Sequence, residues 1–431
     1  MNKIRGNPDI GGMSATIGFF VGFAAVSLFG VTATKIKEFM PVGPALIGLL
    51  ISIPALTGSL LRIPFAAWTD TTGGRKPFLV LLVLSIIGMT GLYFVMNRYY
   101  PDHLSVGFYP LFLFLGALCG CGIATFSVGI GQVSYWFAQN KQGTVLGLYA
   151  GLGNLAPGIF ALLLPFAMKS LGLPTTYLAW LTFLVVGTII YGLLGRNAWY
   201  FQLVEQGLAP GEARKKAQEI YHQEIFPKGN VLESLSVSAR NWKTWALFFI
   251  YFTTFGGFIA LTAWFPTYWS VFYKMPITQA GMLTALYSIL ASLIRVIGGQ
   301  IADIYGGERT LIVSLSTMIV GAAIMFIADA FAVSVLGCVV LAIGMGISNA
   351  AVFKLVPQEI PEAVGGAAGW VGGLGAFGGF VIPPLLGYIV SVMGTEGYRR
   401  GFGILVVLAG SSLCLNLYMR YQRRVRRQSG S

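Results

Sequence analysis

The sequence predicts an all-α polytopic membrane protein of twelve spans arranged as two similar halves of six. Three observations carry this. Of the 431 residues, 56% are hydrophobic and only 10% charged, where soluble domains carry about 25% charged residues. The apolar residues fall in long runs near or above the ~20 residues that a bilayer-crossing helix needs. One block of sequence in the first half also recurs in the second.

Apolar runs between polar punctuation place the spans at 13–34, 44–67, 77–97, 107–136, 143–168, 174–195, 243–272, 279–302, 309–329, 331–356, 364–393 and 401–419. The polar start carries Lys3, Arg5 and Asp9. The first run is too long for a signal peptide and has no clear small-residue cleavage site, so it is expected to stay as a span. A polar insert separates runs six and seven, and its EARKKAQEIYHQE stretch reads as a short surface helix. The expected organisation is a half at 1–195, a linker at 196–242, a second half at 243–419 and a basic tail at 420–431. Cys119, Cys121, Cys338 and Cys414 lie inside apolar runs and read as buried small hydrophobes rather than as bridges or metal ligands. No cofactor or metal is expected.

The formal charge of +13 would suggest nucleic acid in a soluble protein. Here its distribution reports topology. With the N-terminus inside, 19 Lys and Arg fall on inner segments and seven on outer ones. The positive-inside rule therefore puts both termini and the insert in the cytoplasm. The terminal RYQRRVRR reads as a stop signal, in preference to a contact with anionic lipid.

The repeat is specific. Ser59, Leu60, Arg62, Asp70, Gly73 and Gly74 recur as Ser292, Leu293, Arg295, Asp303, Gly306 and Gly307 at one ungapped offset of 233. Gly143, Gly147, Gly151 and Gly153 recur as Gly365, Gly369, Gly373 and Gly375 at an offset of 222. Two homologous six-helix halves follow, an organisation that places substrate between the halves near the midplane.

Arg62 and Arg295 lie deep within apolar runs, where a charge costs several kcal/mol unless it faces a cavity and a partner. None of the fifteen acids sits mid-span. An anion is therefore the natural partner, in preference to snorkelling or pairing with backbone. The planar, forked guanidinium suits a small oxyanion held edge-on. Phe126, Tyr251 and Phe353 lie near mid-span, where each packs or stacks on a flat anion. The glycine spacing of span five permits close helix packing, and its Gly151, Gly153 and Asn154 also expose backbone dipoles and an amide at depth. The DTTGGRK loop and its echo DIYGGER couple an acid at a helix end with glycine turns and basic residues. Asp70, Arg75, Asp303 and Arg309 are accordingly gating candidates.

These residues resemble the major facilitator superfamily. More specifically, the two arginines, GTVLGLYAGLGNLAPG, GGAAGWVGGLGAFGGF, YFTTFGGFIA and NAAVFKLVPQ are similar to the nitrate/nitrite porter family across the whole chain. The resemblance implies a carrier of nitrate and nitrite in the cell inner membrane that works as a monomer. Its site would be clamped by Arg62 and Arg295, with Asn154 binding the anion, Phe126, Tyr251 and Phe353 enclosing it, and Gly151, Gly153, Gly373 and Gly375 completing the substrate-binding set. The asparagine has no counterpart in span eleven, where Ala376 stands. The family includes nitrate/nitrite exchangers and nitrate/proton symporters. His103 and His222 lie in polar segments and no embedded acid is evident, which favours exchange; a proton travelling with the ligand or through Glu38 is the alternative. A carrier of small carboxylates, a nitrate sensor and a membrane enzyme are the other readings. The last lacks a His/Cys/Asp/Glu constellation.

Overall fold

The computed structural model describes residues 4–138, 141–227, 231–360 and 363–429. Lys3 and Lys228 of the charge count lie outside the described residues, as do the side chains of Arg426 and Arg427. Twelve helices among the described residues are long and apolar enough to cross a membrane: α1 (Pro8–Ser27), α2 (Pro44–Thr72), α3 (Arg75–Tyr99), α4 (Val106–Trp136), α5 (Val145–Leu171), α6 (Leu173–Leu194), α7 (Trp242–Phe272), α8 (Ile277–Tyr305), α9 (Gly307–Ile327), α10 (Phe331–Glu359), α11 (Val364–Arg400) and α12 (Gly403–Val425). No strand occurs among the described residues. The chain is a multi-pass membrane protein.

The helix ends follow capping chemistry more closely than hydropathy. Helix α1 begins at Pro8 rather than 13, because the Asn7 side chain accepts from the Ile10 amide at 2.9 Å and Pro8 occupies the first turn. It breaks after Ser27 instead of reaching 34, and the chain resumes as the short helix Ala33–Phe39. Helices α2 and α8 end at Gly73 and Gly306, the same repeat position, with φ of +77° and +85°. Only glycine takes that turn without strain. Two spans carry distortions near their middle: a 3₁₀ turn at Cys121–Ala124 in α4 and a π-helical turn at Phe252–Gly256 in α7.

The insert holds three short helices, Trp199–Glu205, Pro210–Tyr221 and Val231–Arg240. The second matches the expected surface helix and ends at His222 in a left-handed conformation. The third lies on α11, where Gly366 N donates to Ser234 Oγ at 3.0 Å and Trp370 Nε1 to the Leu235 carbonyl at 3.0 Å. The tail is a helical continuation to Ser429. Within it Arg423 pairs with Glu359 and, at 3.4 Å, with Glu308. Lys243 also pairs with Glu359, whose side chain is 2% exposed. A buried ion network thus ties α7, α9, α10 and α12 together. Three cysteines are buried as expected, whereas Cys414 is exposed, because α12 turns that face outward.

Backbone-to-backbone approach at glycines holds the two halves together at the end remote from the termini. A Cβ on Gly48 would stand 2.4 Å from the Pro383 carbonyl oxygen, and one on Gly387 would stand 2.3 Å from that of Pro44. Gly281 meets the Ala161 carbonyl in the same way at 2.4 Å. These contacts seat α2 on α11 and α5 on α8 across the division. A Cβ on Gly147 of α5, by contrast, would meet nothing within 4 Å.

Candidate functional site

The two central arginines stand at equivalent turns of α2 and α8. Ser59 Oγ donates to the Ala55 carbonyl at 2.5 Å and Ser292 Oγ to the Ser288 carbonyl at 2.7 Å, so the repeat extends to the local hydrogen bonds beneath each arginine. Arg62 is 1% exposed. Its Nε donates to the Gly58 carbonyl at 3.1 Å and its Nη1 to the Gly372 carbonyl of α11 at 3.0 Å, across the two halves. The second bond needs the α11 backbone close by, which Gly373 allows: a Cβ there would lie 2.8 Å from Ile63 Cγ1. Nη2 of Arg62 is buried without a partner.

Arg295 is half-buried. Its Nη2 donates to the Tyr251 hydroxyl at 3.3 Å, while its Nη1 is buried without a partner. Neither arginine forms an ion pair among the described residues. Both guanidiniums lie over the ring of Phe255, at 5.4 Å for Arg62 and 5.3 Å for Arg295. Their central carbons therefore stand no farther apart than the sum of those two distances. Two cations share this close space in a largely apolar interior, where their repulsion is weakly screened.

Aromatic rings wall the pair. Phe126 sits 4.8 Å from the Arg62 guanidinium, and its position is set by Tyr149, whose hydroxyl donates to the Thr125 and Phe126 carbonyls at 3.0 and 3.1 Å. Tyr251 stacks on Phe255 at 4.9 Å and meets the half-buried Phe353 edge-on at 5.0 Å. Gly375 lets α11 pass beside Tyr251, since a Cβ there would lie 2.6 Å from Tyr251 Cδ1. The π-helical turn after Tyr251 brings Tyr251 and Phe255 onto one face of α7. Turns of this kind recur at functional sites.

The fifth span contributes differently. Asn154 is 1% exposed, with its Oδ1 unpartnered, and its carbonyl accepts from Ser292 Oγ at 3.0 Å, one turn before Arg295. Its amide makes no hydrogen bond to either guanidinium among the described residues. Gly153 packs against Phe19, which a Cβ would meet at 1.9 Å, and Phe19 backs Phe126 at 5.3 Å. Gly151 faces Val296 of α8, at 3.4 Å from a Cβ.

The gating candidates lie at the termini-bearing end. Asp70 accepts from the Tyr135 hydroxyl at 2.5 Å. Arg75 donates from Nη2 to the Gly192 carbonyl at 2.9 Å, and its amide donates to Asn197 Oδ1. Asp303 pairs with Lys354 at 2.5 Å, and Arg309 is exposed. The described contacts of Asp70 and Asp303 stay within their own half, and Arg75 reaches only α6 and, at Asn197, the start of the linker.

Sequence reasoning missed Phe255, the one ring that both guanidiniums share among the described residues. Its signal was its place four residues after Tyr251 in YFTTFGGF, a spacing that puts both rings on one helix face. Tyr149 was also missed, and nothing in its local sequence marks it.

The chain is 28% identical over 381 residues to the "Probable nitrate transporter NarT" of Staphylococcus haemolyticus, covering 88% of this chain and 89% of that one. It is 28% identical over 423 residues to the "Probable nitrate/nitrite antiporter NarK1" of Thermus thermophilus, covering 92% and 88%. These names agree with the resemblance that the sequence motifs carry. Among solved structures, the xylose transporter XylE from E. coli superposes with a TM-score of 0.70 at 15% identity, covering 96% of this chain and 99% of that one, which establishes the fold alone. The family model described as Major Facilitator Superfamily matches residues 15–383 and 273–429. With twelve spans, two repeated halves and this match over most of its length, the chain belongs to the Major Facilitator Superfamily.

Proposed function

We propose that the protein is a secondary carrier of nitrate, and of nitrite, across the cytoplasmic membrane, with the anion clamped between Arg62 and Arg295. One observation carries the reading: two guanidiniums from equivalent positions of the two halves share one aromatic ring, and each keeps a buried nitrogen without a partner. A buried donor left unpaired costs about 1–3 kcal/mol, and more when charged. A small planar oxyanion entering between them would accept from both forks and offset the central repulsion. The buried Asn154 amide, whose oxygen is unpartnered, would offer its Nδ2 donors to an anion at the seam. The names of the relatives support nitrate as that anion.

Transport follows from differential stabilisation. Empty, the carrier holds two unpaired cations near each other; loaded, its central charge falls from +2 to +1 and the anion bridges the two guanidiniums, which favours closure of the halves over the anion. The Arg62 bond to the Gly372 carbonyl ties the clamp to α11, so movement of the anion is coupled to movement of one half against the other. The charge bias of the loops supports cytoplasmic termini. Exchange of nitrate for nitrite is the coupling we favour, since no embedded acid or His relay faces the clamp among the described residues. Purified protein in vesicles separates the alternatives. Nitrate flux without any added partner supports a carrier over a sensor, and formate or oxalate competing as well as nitrite would replace nitrate by a carboxylate substrate.

A further inference from the structure

At the termini-bearing end of the first half, three arginines gather, and Asp9 in the first turn of α1 pairs with none of them among the described residues. The Gly192 carbonyl in the last turn of α6 accepts from Arg75 Nη2 at 2.9 Å and from Arg196 Nη1 at 3.4 Å, so guanidiniums from the start of α3 and from just past α6 converge on one oxygen. Arg5 joins them through the chain before α1, where a Cβ on Gly6 would stand 3.3 Å from Arg196 Cβ. None of the three forms an ion pair among the described residues, and Glu205 is taken by Lys76 at 3.4 Å. Burial and, after it, the charges of Arg75 and Arg5 hold the Arg196 guanidinium below its ordinary pKa.

Capping the C-terminus of α6 needs one cation. It does not account for three, and Arg75 Nε is left buried with no partner. The backbones are nonetheless fixed. Gln132 Nε2 and Trp136 Nε1 both donate to the Arg196 carbonyl at 3.1 Å, and the Gln202 amide pairs with both main-chain groups of Arg5 at 3.0 and 2.7 Å. The result is a rigid frame around underused guanidinium donors. From it the seam between α1 and α6 runs past exposed Ile10, Met13 and Leu194. It leads to an apolar cleft of about 240 Å³ lined by Ile17, Phe20, Phe183, Val186 and Ile190.

We propose that Arg5, Arg75 and Arg196 bind the phosphate of an anionic glycerophospholipid whose acyl chain lies in the cleft between α1 and α6. The forked donors match a phosphodiester. The cleft, open on the membrane-facing side of the two spans, matches the chain. The site is separate from the central arginines and does not depend on what they carry.

Native mass spectrometry of the full-length protein, equilibrated with equal phosphatidylglycerol and phosphatidylcholine of the same chains, tests this. Wild type retains phosphatidylglycerol preferentially. Each neutralised arginine weakens retention about fivefold, from the usual worth of a basic side chain at an anionic surface, so R5Q/R196Q loses about twenty-five-fold, while K274Q at the opposite end keeps the preference. Val186→Trp fills the cleft with the arginines intact and also lowers retention, which keeps the test open if the double variant does not fold. Equal retention of the two lipids by wild type overturns the site, as does an unchanged preference in R5Q/R196Q. Inorganic phosphate binding to delipidated protein as tightly as phosphatidylglycerol overturns the lipid in favour of a free anion.

Discussion

Replacing Arg62 by Lys keeps the central charge and removes the fork, which isolates what the guanidinium geometry contributes. Arg62 already spends Nε on the Gly58 carbonyl at 3.1 Å and one Nη1 hydrogen on the Gly372 carbonyl at 3.0 Å. Nη2 and the remaining Nη1 hydrogen are what an oxyanion meets. A lysine ammonium that replaces the two carbonyl bonds has at most one donor left, at a single point and on a shorter stem. The variant therefore loses at least one charge-assisted hydrogen bond to the anion, worth about 1.5–3 kcal/mol. It also weakens the contacts with the Phe126 and Phe255 rings, at 4.8 and 5.4 Å, worth about 0.5–2 kcal/mol. The ring contacts are already made without the anion and weigh on the fold, so the lost hydrogen bond sets the effect: nitrate binding roughly ten-fold to about 150-fold weaker. Calorimetric titration of nitrate into purified Arg62→Lys, with thermal unfolding run alongside to show that the fold persists, gives the number. An affinity within about threefold of wild type, in a folded variant, would refute the forked clamp.

Other outcomes follow from the same geometry. Phe255→Leu keeps apolar volume but removes the ring beneath both guanidiniums, and is expected to cut nitrate exchange in vesicles about tenfold, on the ~0.5–1 kcal/mol that each such contact provides. Gly375→Ala pushes on Tyr251, whose Cδ1 would lie 2.6 Å from the new methyl, and is expected to abolish exchange, whereas Gly147→Ala, with nothing within 4 Å, retains it; equal activities would show that Tyr251 need not hold its place. Glu359→Gln strips a buried carboxylate from both Lys243 and Arg423 and is expected to cost about 3–5 kcal/mol, read as a clear drop in the thermal midpoint in detergent; an unshifted midpoint would mean that the network adds no stability.

Most of the fold was legible in the sequence because lipid imposes a simple rule: apolar length decides what spans. The ends were less legible. Helix α1 starts at a capping asparagine and a proline that a hydropathy count passes over, and Arg423, read within a basic stop signal, bonds Glu359 from a helix that does not stop. At the site, Arg62 and Arg295 stood out because charge at depth is costly, and the repeat placed them in register. Phe255 did not, because its one signal, the four-residue spacing from Tyr251, is also what ordinary packing residues of an apolar span show. The Gly372 carbonyl that accepts from Arg62 was invisible for the same reason, since every residue has a carbonyl and only the fold selects one.

The central claim, that two arginines clamp a transported oxyanion, is tested most directly by uptake of labelled nitrate into proteoliposomes of the purified protein. Nitrite-loaded vesicles are compared with empty ones under an inward proton gradient, for wild type and for the variant carrying both Arg62→Lys and Arg295→Lys. The account predicts rapid uptake by wild type into nitrite-loaded vesicles and near-background uptake by the double variant. Uptake by the folded double variant at the wild-type rate, or no nitrate uptake by wild type under either condition, would contradict it.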